Sequence, residues 1–297
     1  QHSSWLTMME NRLSLAKELM RENGVLFINI GDEEFANLIK LSEIVFGKAN
    51  IITSFIRRKR AGGGNDSKYI AVEHDYVPVI SKNIEKLKLN TLYRDLTKYK
   101  SDEYGLYLIK PLHEPTLQDS PGLHYDIECP DGTILSGKDH QWKISKEKFK
   151  ELKEQNAIIF EKDKNGWVIK YKHYIDSEKG VLPSSILYNK VMNSNATSEM
   201  QALGFSFDVI KRIRPKPSSL VTHLLTIGSS KLDLIIDFFA GSGTTAHAVM
   251  KLNKEDGGRR KFILVEMADY FNTIIIPRIE KLSYSLNWKD GKPQDND

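Results

Sequence analysis

The 297-residue chain has a single cysteine, Cys129, so no disulfide forms within it and no multi-cysteine zinc site can be built. No metal site is expected, and a reducing, cytoplasmic setting fits. No apolar run approaches the ~20 residues that a membrane-spanning helix needs, and no secretory signal opens the sequence; no membrane partner is expected. Charge of one sign is also scarce. Lys and Arg number 43 against 39 Asp and Glu, a net +4, so contact with nucleic acid has to come from local clusters. The ten prolines never stand in a pair. The chain begins Gln1-His2-Ser3 without an initiator methionine, and the expectation is a piece of a longer protein.

What is present is the stretch from Leu234 to Thr245, Leu-Ile-Ile-Asp-Phe-Phe-Ala-Gly-Ser-Gly-Thr-Thr. An apolar run ends in Asp237, a turn holds Gly241 and Gly243, and Ala248, Val249 and Leu252 then recur at helical spacing. This pattern predicts a strand, a tight turn and a helix start, where glycine lets a ligand approach the backbone and unpaired N–H groups face an anion. A second apolar run, Phe262 to Val265, ends at Glu266, which puts another carboxylate at the tip of the neighbouring strand, suited to ribose hydroxyls. Gly241 to Ala246 also fits a loose G-x-G-x-x-A with an acid about 20 residues on, the pattern of a dinucleotide site. Asp237 argues against that ligand, because its charge would repel a pyrophosphate. S-adenosylmethionine (AdoMet) carries an amino group and a sulfonium beside its carboxylate. Asp237 attracts the cationic end, and the helix start takes the carboxylate. The sign of the charge favours AdoMet over NAD.

Upstream, Leu6, Met9, Leu13, Ala16 and Met20 keep helical spacing up to Gly24. A strand from Val25 to Ile30 follows, then a helix opened by Asp32 with Phe35, Leu38, Leu41 and Val45 on its inner face. Ile51 to Ile56 and Tyr76 to Ser81 read as further strands. Alternating strands and helices predict an α/β sheet with a largely parallel centre. Between the last two strands lie Arg57, Arg58, Lys59 and Arg60, followed by Ala61 and Gly62-Gly63-Gly64. Four cations on a glycine loop suit phosphate contacts, or else a solvated surface.

From about Lys82 to Gln201 apolar runs shorten and turn pairs appear. A helix over Lys146 to Lys153 and a hairpin across Asp163–Gly166 are predicted there. Trp142, Trp167, Tyr171 and His173 stand among basic residues in this α+β insert. Ser218 then caps a helix that Gly228 ends, and Asp269 caps a last helix that includes Ile274 to Leu282.

Asp-Phe-Phe-Ala-Gly-Ser-Gly-Thr-Thr followed by Phe-Ile-Leu-Val-Glu resembles the cofactor motif of β-arranged, amino-methylating DNA methyltransferases. The match is strongest to the modification (Mod) subunit of type III restriction-modification systems. The resemblance implies a Rossmann-like AdoMet-dependent sheet with an inserted target-recognition region. Residues 1–85 would be the catalytic half of the sheet, 86–204 the insert and 205–297 the cofactor half. It implies AdoMet held by Asp237, Phe239, Gly241, Gly243, Thr244 or Thr245, Glu266 and Lys216. His74 and Tyr76 match the family's His-x-Tyr element beside the base pocket, where an aromatic stacks on a flipped base. The partners implied are double-stranded DNA, a second copy of the chain and a restriction (Res) subunit.

One departure matters. The family's Asp-Pro-Pro-Tyr motif is absent, since no proline pair occurs. An exocyclic amine is a poor nucleophile until a carboxylate and a proline-fixed carbonyl accept its two N–H bonds. The expectation is a chain that starts just past its catalytic loop, binds AdoMet weakly at most and transfers nothing alone. The implied parent activity is methyl transfer to a DNA base amine, adenine N6 in preference to cytosine N4. An NAD-dependent oxidoreductase and a non-catalytic DNA-recognition protein derived from a methyltransferase are the alternatives.

Overall fold

The computed structural model describes residues 2–62, 68–116, 118–188 and 191–294. The chain opens with α1 (His2–Leu19), β1 (Val25–Phe27), α2 (Asp32–Phe46), β2 (Ile51–Arg58) and β3 (His74–Ser81). A separate unit, Tyr93 to Val181, carries β4 (Lys100–Asp102), β5 (Gly105–Pro111), the two-residue strands β6 (Ile127–Glu128) and β7 (Ile134–Leu135), α3 (Lys146–Glu154), β8 (Ile158–Asp163) and β9 (Gly166–Ile175). The chain then returns to the first unit with β10 (Ile186–Leu187), α4 (Asn193–Ala202), α5 (Phe207–Ile213), α6 (Ser218–Gly228), β11 (Leu234–Asp237), α7 (Thr244–Asp256), β12 (Lys261–Leu264) and α8 (Ile276–Tyr284).

The first unit is α/β. Its larger sheet has the order β1-β3-β2-β10. β3 runs antiparallel to both β1 and β2, so the largely parallel centre expected from the sequence is not found in this sheet. The reason is the connection: the described residues between β2 and β3 form no crossover helix, and parallel neighbours need one. Among the described residues, parallel pairing is confined to β2 with β10 and β11 with β12. Successive residues of β3 serve opposite faces. Val77 and Val79, with Phe55, pack under Leu220, Leu224 and Ile227 of α6. Ile80 packs against Leu13 of α1 and Leu38 and Leu41 of α2.

β11 and β12 form a second sheet, not hydrogen-bonded to the first among the described residues. α6 serves both. Its Leu225 and Val221 pack with Ala248, Val249 and Leu252 of α7 and with Ile235 and Phe262 of β11 and β12. Ahead of the two sheets' strands β1 and β11, Arg21 Nη1 lies 3.2 Å from Asp233 Oδ1.

The inserted unit is smaller than the 86–204 expected. β10 pairs with β2, and Leu187 and Val191 join the core under α6, so residues 182–204 belong to the first unit. Within the insert, β4-β5-β9-β8 form an antiparallel sheet, with the predicted hairpin at β8 and β9. Ser145 Oγ accepts the Lys148 N–H and caps α3. Trp142 and Tyr171, singled out among the basic residues, are core side chains instead. They pack with Leu112, Phe149, Leu152 and Ile169, and Trp142 Nε1 donates to the Tyr125 carbonyl at 2.7 Å. No helix of the described residues is long and apolar enough to cross a membrane.

Candidate functional site

The site is built on the ends of two parallel strands. Asp237 closes β11 and Glu266 lies two residues past β12, with the pair Asp237–Leu264 in register. The Ala240 N–H donates to the Val265 carbonyl (3.0 Å) and the Val265 N–H to the Asp237 carbonyl (2.9 Å), so the turn stays zipped to the next strand. Both carboxylates brace this turn. Asp237 Oδ1 accepts the Phe239 N–H at 3.0 Å, and its Oδ2 accepts the Thr245 hydroxyl. Glu266 Oε2 accepts the Gly241 N–H at 2.8 Å, while Oε1 accepts the N–H groups of Met267 and Ala268, each at 2.9 Å. Glu266 Oε1 is filled by its two N–H partners, while Glu266 Oε2 and both Asp237 oxygens, with one partner each, keep a lone-pair direction for a ligand.

Gly243 enters α7 with φ of 76°, a left-handed conformation that side chains disfavour. A β-carbon there would also come within 3.4 Å of Ile275 Cγ2. The first N–H groups of α7 have no intrahelical acceptor and face whatever sits on the turn. The hydroxyls of Thr244 and Thr245 do not. Both residues are buried. The Thr244 hydroxyl donates to the Lys216 carbonyl at 3.1 Å, and that of Thr245 is taken by Asp237, so what these threonines present outward is backbone. Phe239 is the opposite case, with 51 % of its surface exposed. Val265 and Met267, which flank Glu266, are exposed too. Three apolar side chains thus stand open beside two carboxylates, an arrangement suited to a ligand with one flat apolar part and one polar part.

Lys216 is tied to the turn through its carbonyl, but its ammonium points to Asp75 (3.4 Å to Oδ2). Asp75 also meets Arg57 (3.1 Å) and Lys59 (3.0 Å). Arg57 is fully buried: its Nε donates to the Val191 carbonyl at 2.6 Å and its Nη2 to Asn193 Oδ1. The sequence expectation of a DNA contact at Arg57 is therefore corrected. β2 continues through Arg58 rather than ending at Ile56, so residues 55 and 57 face inward and Arg57 sits in register with Asp75. Burial lowers the Arg57 pKa and Asp75 opposes that shift. Arg58 faces out and meets Glu73 at 3.3 Å. Arg60 follows it, and Gly63 and Gly64 of the expected loop lie outside the described residues.

His74 and Tyr76 share the other face of β3. The Tyr76 hydroxyl is 3.0 Å from His74 Nε2, which is 3.3 Å from Asp32 Oδ1. The Tyr76 ring stacks on Phe35 at 3.9 Å, leaving one ring face. Its phenol pKa is raised, by burial first and then by Asp32. The structure therefore gathers Asp237, Gly241, Gly243, Thr244, Thr245, Glu266 and the Lys216 backbone around one turn. It sets His74 and Tyr76 on a different face from Asp75 and Lys216.

Sequence reasoning missed a buried cluster beneath the turn. Arg278 donates to the Ser242 carbonyl and hydroxyl, to Thr244 Oγ1 and to His247 Nδ1. A signal existed: Arg278 falls in the series Ile274, Arg278, Leu282, on the apolar side of its helix. Burial, with Arg278 and Lys251, brings the His247 pKa down from 6.5 to about 3; Glu199 Oε2 lies 3.9 Å away. His247 is thus neutral in the folded chain while the unfolded chain protonates it below its ordinary pKa. Its contribution is complete at neutral pH and is lost as pH falls through the window between about 6.5 and 3, at about 1.4 kcal/mol per unit. By pH 4.5 the loss is about 3 kcal/mol. Urea unfolding at pH 7.5 and 4.5 checks it: His247→Gln should lose less stability on acidification than the wild type, and equal losses would refute the assignment.

A family model described as DNA methylase (N6/N4 methyltransferases) matches residues 1–276. The Mod subunit of the type III restriction-modification enzyme StyLTI of Salmonella typhimurium is 33% identical over 92% of this chain and 42% of its own length. The EcoPI Mod subunit of Escherichia phage P1 is 31% identical over 97% and 48%. The type II methyltransferase M.KpnI of Klebsiella pneumoniae is 29% identical over 89% and 67%. The chain spans less than half the length of these two Mod relatives.

Proposed function

Because this chain belongs to the N6/N4 DNA methylase family, we propose that it is the AdoMet-binding and DNA-recognition part of a site-specific DNA methyltransferase in a restriction-modification system, acting in the cytoplasm on adenine N6. The observation that carries the reading is the pair of carboxylates, Asp237 and Glu266, at adjacent strand ends around one glycine turn. When bound, AdoMet supplies an electrophilic methyl group.

The residues present fit such a cofactor. Asp237 offers negative charge to its cationic end, and the N-terminal N–H groups of α7 offer donors to its carboxylate. Glu266 would take the ribose hydroxyls, and the open ring of Phe239, with Val265 and Met267, would cover the adenine. Lys216, just ahead of α6, would turn its half-exposed side chain from Asp75 to meet the methionine end. On the DNA side, Arg58 and Arg60, with Lys59 behind them, would contact phosphates, and residues 93–181 would read the sequence. The remaining ring face of Tyr76, oriented by His74, would meet the flipped base. A second copy of the chain and a Res subunit would complete the assembly, as the resemblance to Mod subunits implies.

Calorimetric titration of the chain with AdoMet and with NAD tests the reading, with AdoMet binding and NAD silent as the expected result. NAD binding without AdoMet binding would end it. Residues 1–297 alone should transfer no labelled methyl group to DNA, because they contain no Asp-Pro-Pro-Tyr. The full-length protein should yield N6-methyladenine in digested DNA; N4-methylcytosine would overturn the choice of base.

A further inference from the structure

Arg278 is enclosed on all sides, yet among the described residues its one ion pair is long, with Glu199 Oε2 3.9 Å away. Its guanidinium is spent on the glycine turn. Nη1 donates to the Ser242 carbonyl (3.1 Å), Ser242 Oγ (3.0 Å) and Thr244 Oγ1 (3.2 Å), and Nη2 reaches His247 Nδ1 (3.0 Å). Nε finds no acceptor among the described residues. A well-packed apolar side chain of similar size is often as stabilising as a buried cation, or more so. The placement has a second cost. Thr244 and His247 lie in the first turn of α7, the positive end of its dipole, where a cation is unfavourable. An anion bound on that turn reverses the sign of the interaction.

Two further features point at the same turn. A π-turn, Phe271–Ile275, precedes α8, and such turns cluster at functional sites; its last residue, Ile275, is the one lying under Gly243. Glu199, the carboxylate of that long ion pair, accepts the Ser218 N–H at the start of α6 through both oxygens (2.9 and 3.2 Å). With the Thr244 hydroxyl on the Lys216 carbonyl, the chain of contacts runs from the turn to the segment bearing Lys216.

We propose that Arg278 is a positioning residue for the cofactor: from beneath, it fixes the 242–244 turn in its binding shape and adds positive potential behind the N-terminus of α7, so that the carboxylate end of the ligand is met by a prepared site. The proposal rests on the AdoMet reading above. Preparing the site in advance removes an ordering cost that would otherwise weaken binding.

The test measures dissociation constants by calorimetry for the chain and its Arg278→Met, Arg278→Lys and Leu282→Ala variants. Two probes are used: AdoMet and 5′-methylthioadenosine, which keeps the adenosine and lacks the amino-acid end. Arg278→Met should weaken AdoMet thirtyfold or more and 5′-methylthioadenosine less than threefold. Arg278→Lys, which keeps charge but not the fork, should recover part of the loss. Leu282→Ala, a buried truncation on the same helix, should lower the urea midpoint and leave AdoMet binding within twofold. Equal weakening of both probes, or an AdoMet loss in Leu282→Ala matching that of Arg278→Met, would overturn the proposal in favour of a structural role. If Arg278→Met does not fold, Arg278→Lys and Ser242→Ala carry the same two-probe comparison. A wild-type chain that binds 5′-methylthioadenosine but not AdoMet, or neither, defeats the functional reading itself and this proposal with it.

Discussion

Replacing Asp75 by alanine is expected to lower the stability of the chain by about 3–5 kcal/mol, the cost of stranding a buried charge. Asp75 faces three cations, but they do not suffer equally from its loss. The side chain of Lys216 is 42 % exposed and that of Lys59 is 24 % exposed, so both can turn toward water. Arg57 has no exposed surface and is pinned by the Val191 carbonyl and Asn193. Its charge stays inside without a counter-ion. Converting both members to apolar residues, Arg57→Met with Asp75→Val, should restore most of the loss, because a buried pair is worth little against good packing. Urea unfolding of the two single variants and the double variant gives the coupling. A drop below 1 kcal/mol for Asp75→Ala would mean that Arg57 reaches solvent, contrary to the structure.

The second large effect concerns the ligand. Asp237→Asn should weaken AdoMet binding by about 2 kcal/mol, roughly thirtyfold, the value of a charge-assisted contact. The substitution is close to neutral for the fold. Asparagine keeps an oxygen for the Phe239 N–H, and the Thr245 hydroxyl can rotate to accept from the new amide. What is lost is the charge alone. A pyrophosphate ligand gives the opposite sign, since removing a nearby anion would tighten it. Calorimetry on the variant therefore separates the two chemistries by direction as well as size, and unchanged AdoMet affinity would remove Asp237 from the site.

These two residues also mark the limits of what the sequence made legible. Asp237 was readable because a local pattern determines it: an apolar run, an acid, glycines and a helix start lie within about a dozen positions, and each has its own physical reason. Glu266 was readable for the same reason, and so was the β8–β9 hairpin, whose turn residues announce it. The Arg57–Asp75 pair was not. A run of four cations looks like surface until the strand is known to continue through Arg58, when the two-residue period turns Arg57 inward. Sheet direction depended on the link from β2 to β3, and the extent of the insert on β10 pairing with β2. Both are long-range facts that no window of sequence contains. Arg278 lay between. Its place in an apolar series was visible, but its partners, more than thirty positions upstream in Ser242, Thr244 and His247, were not.

Among the described residues, β1 has one neighbour in its sheet and β11 pairs only with β12. Each therefore leaves a row of amides and carbonyls along an apolar edge, Val25 to Phe27 in one case and Leu234 to Ile236 in the other. Such an edge is a template on which a foreign strand can lie down. Any polypeptide that occupies it does two things at once: it extends the ladder, and it withdraws the surface by which one copy would stick to the next. In this fold, covering these edges and completing the sheets would be one and the same event.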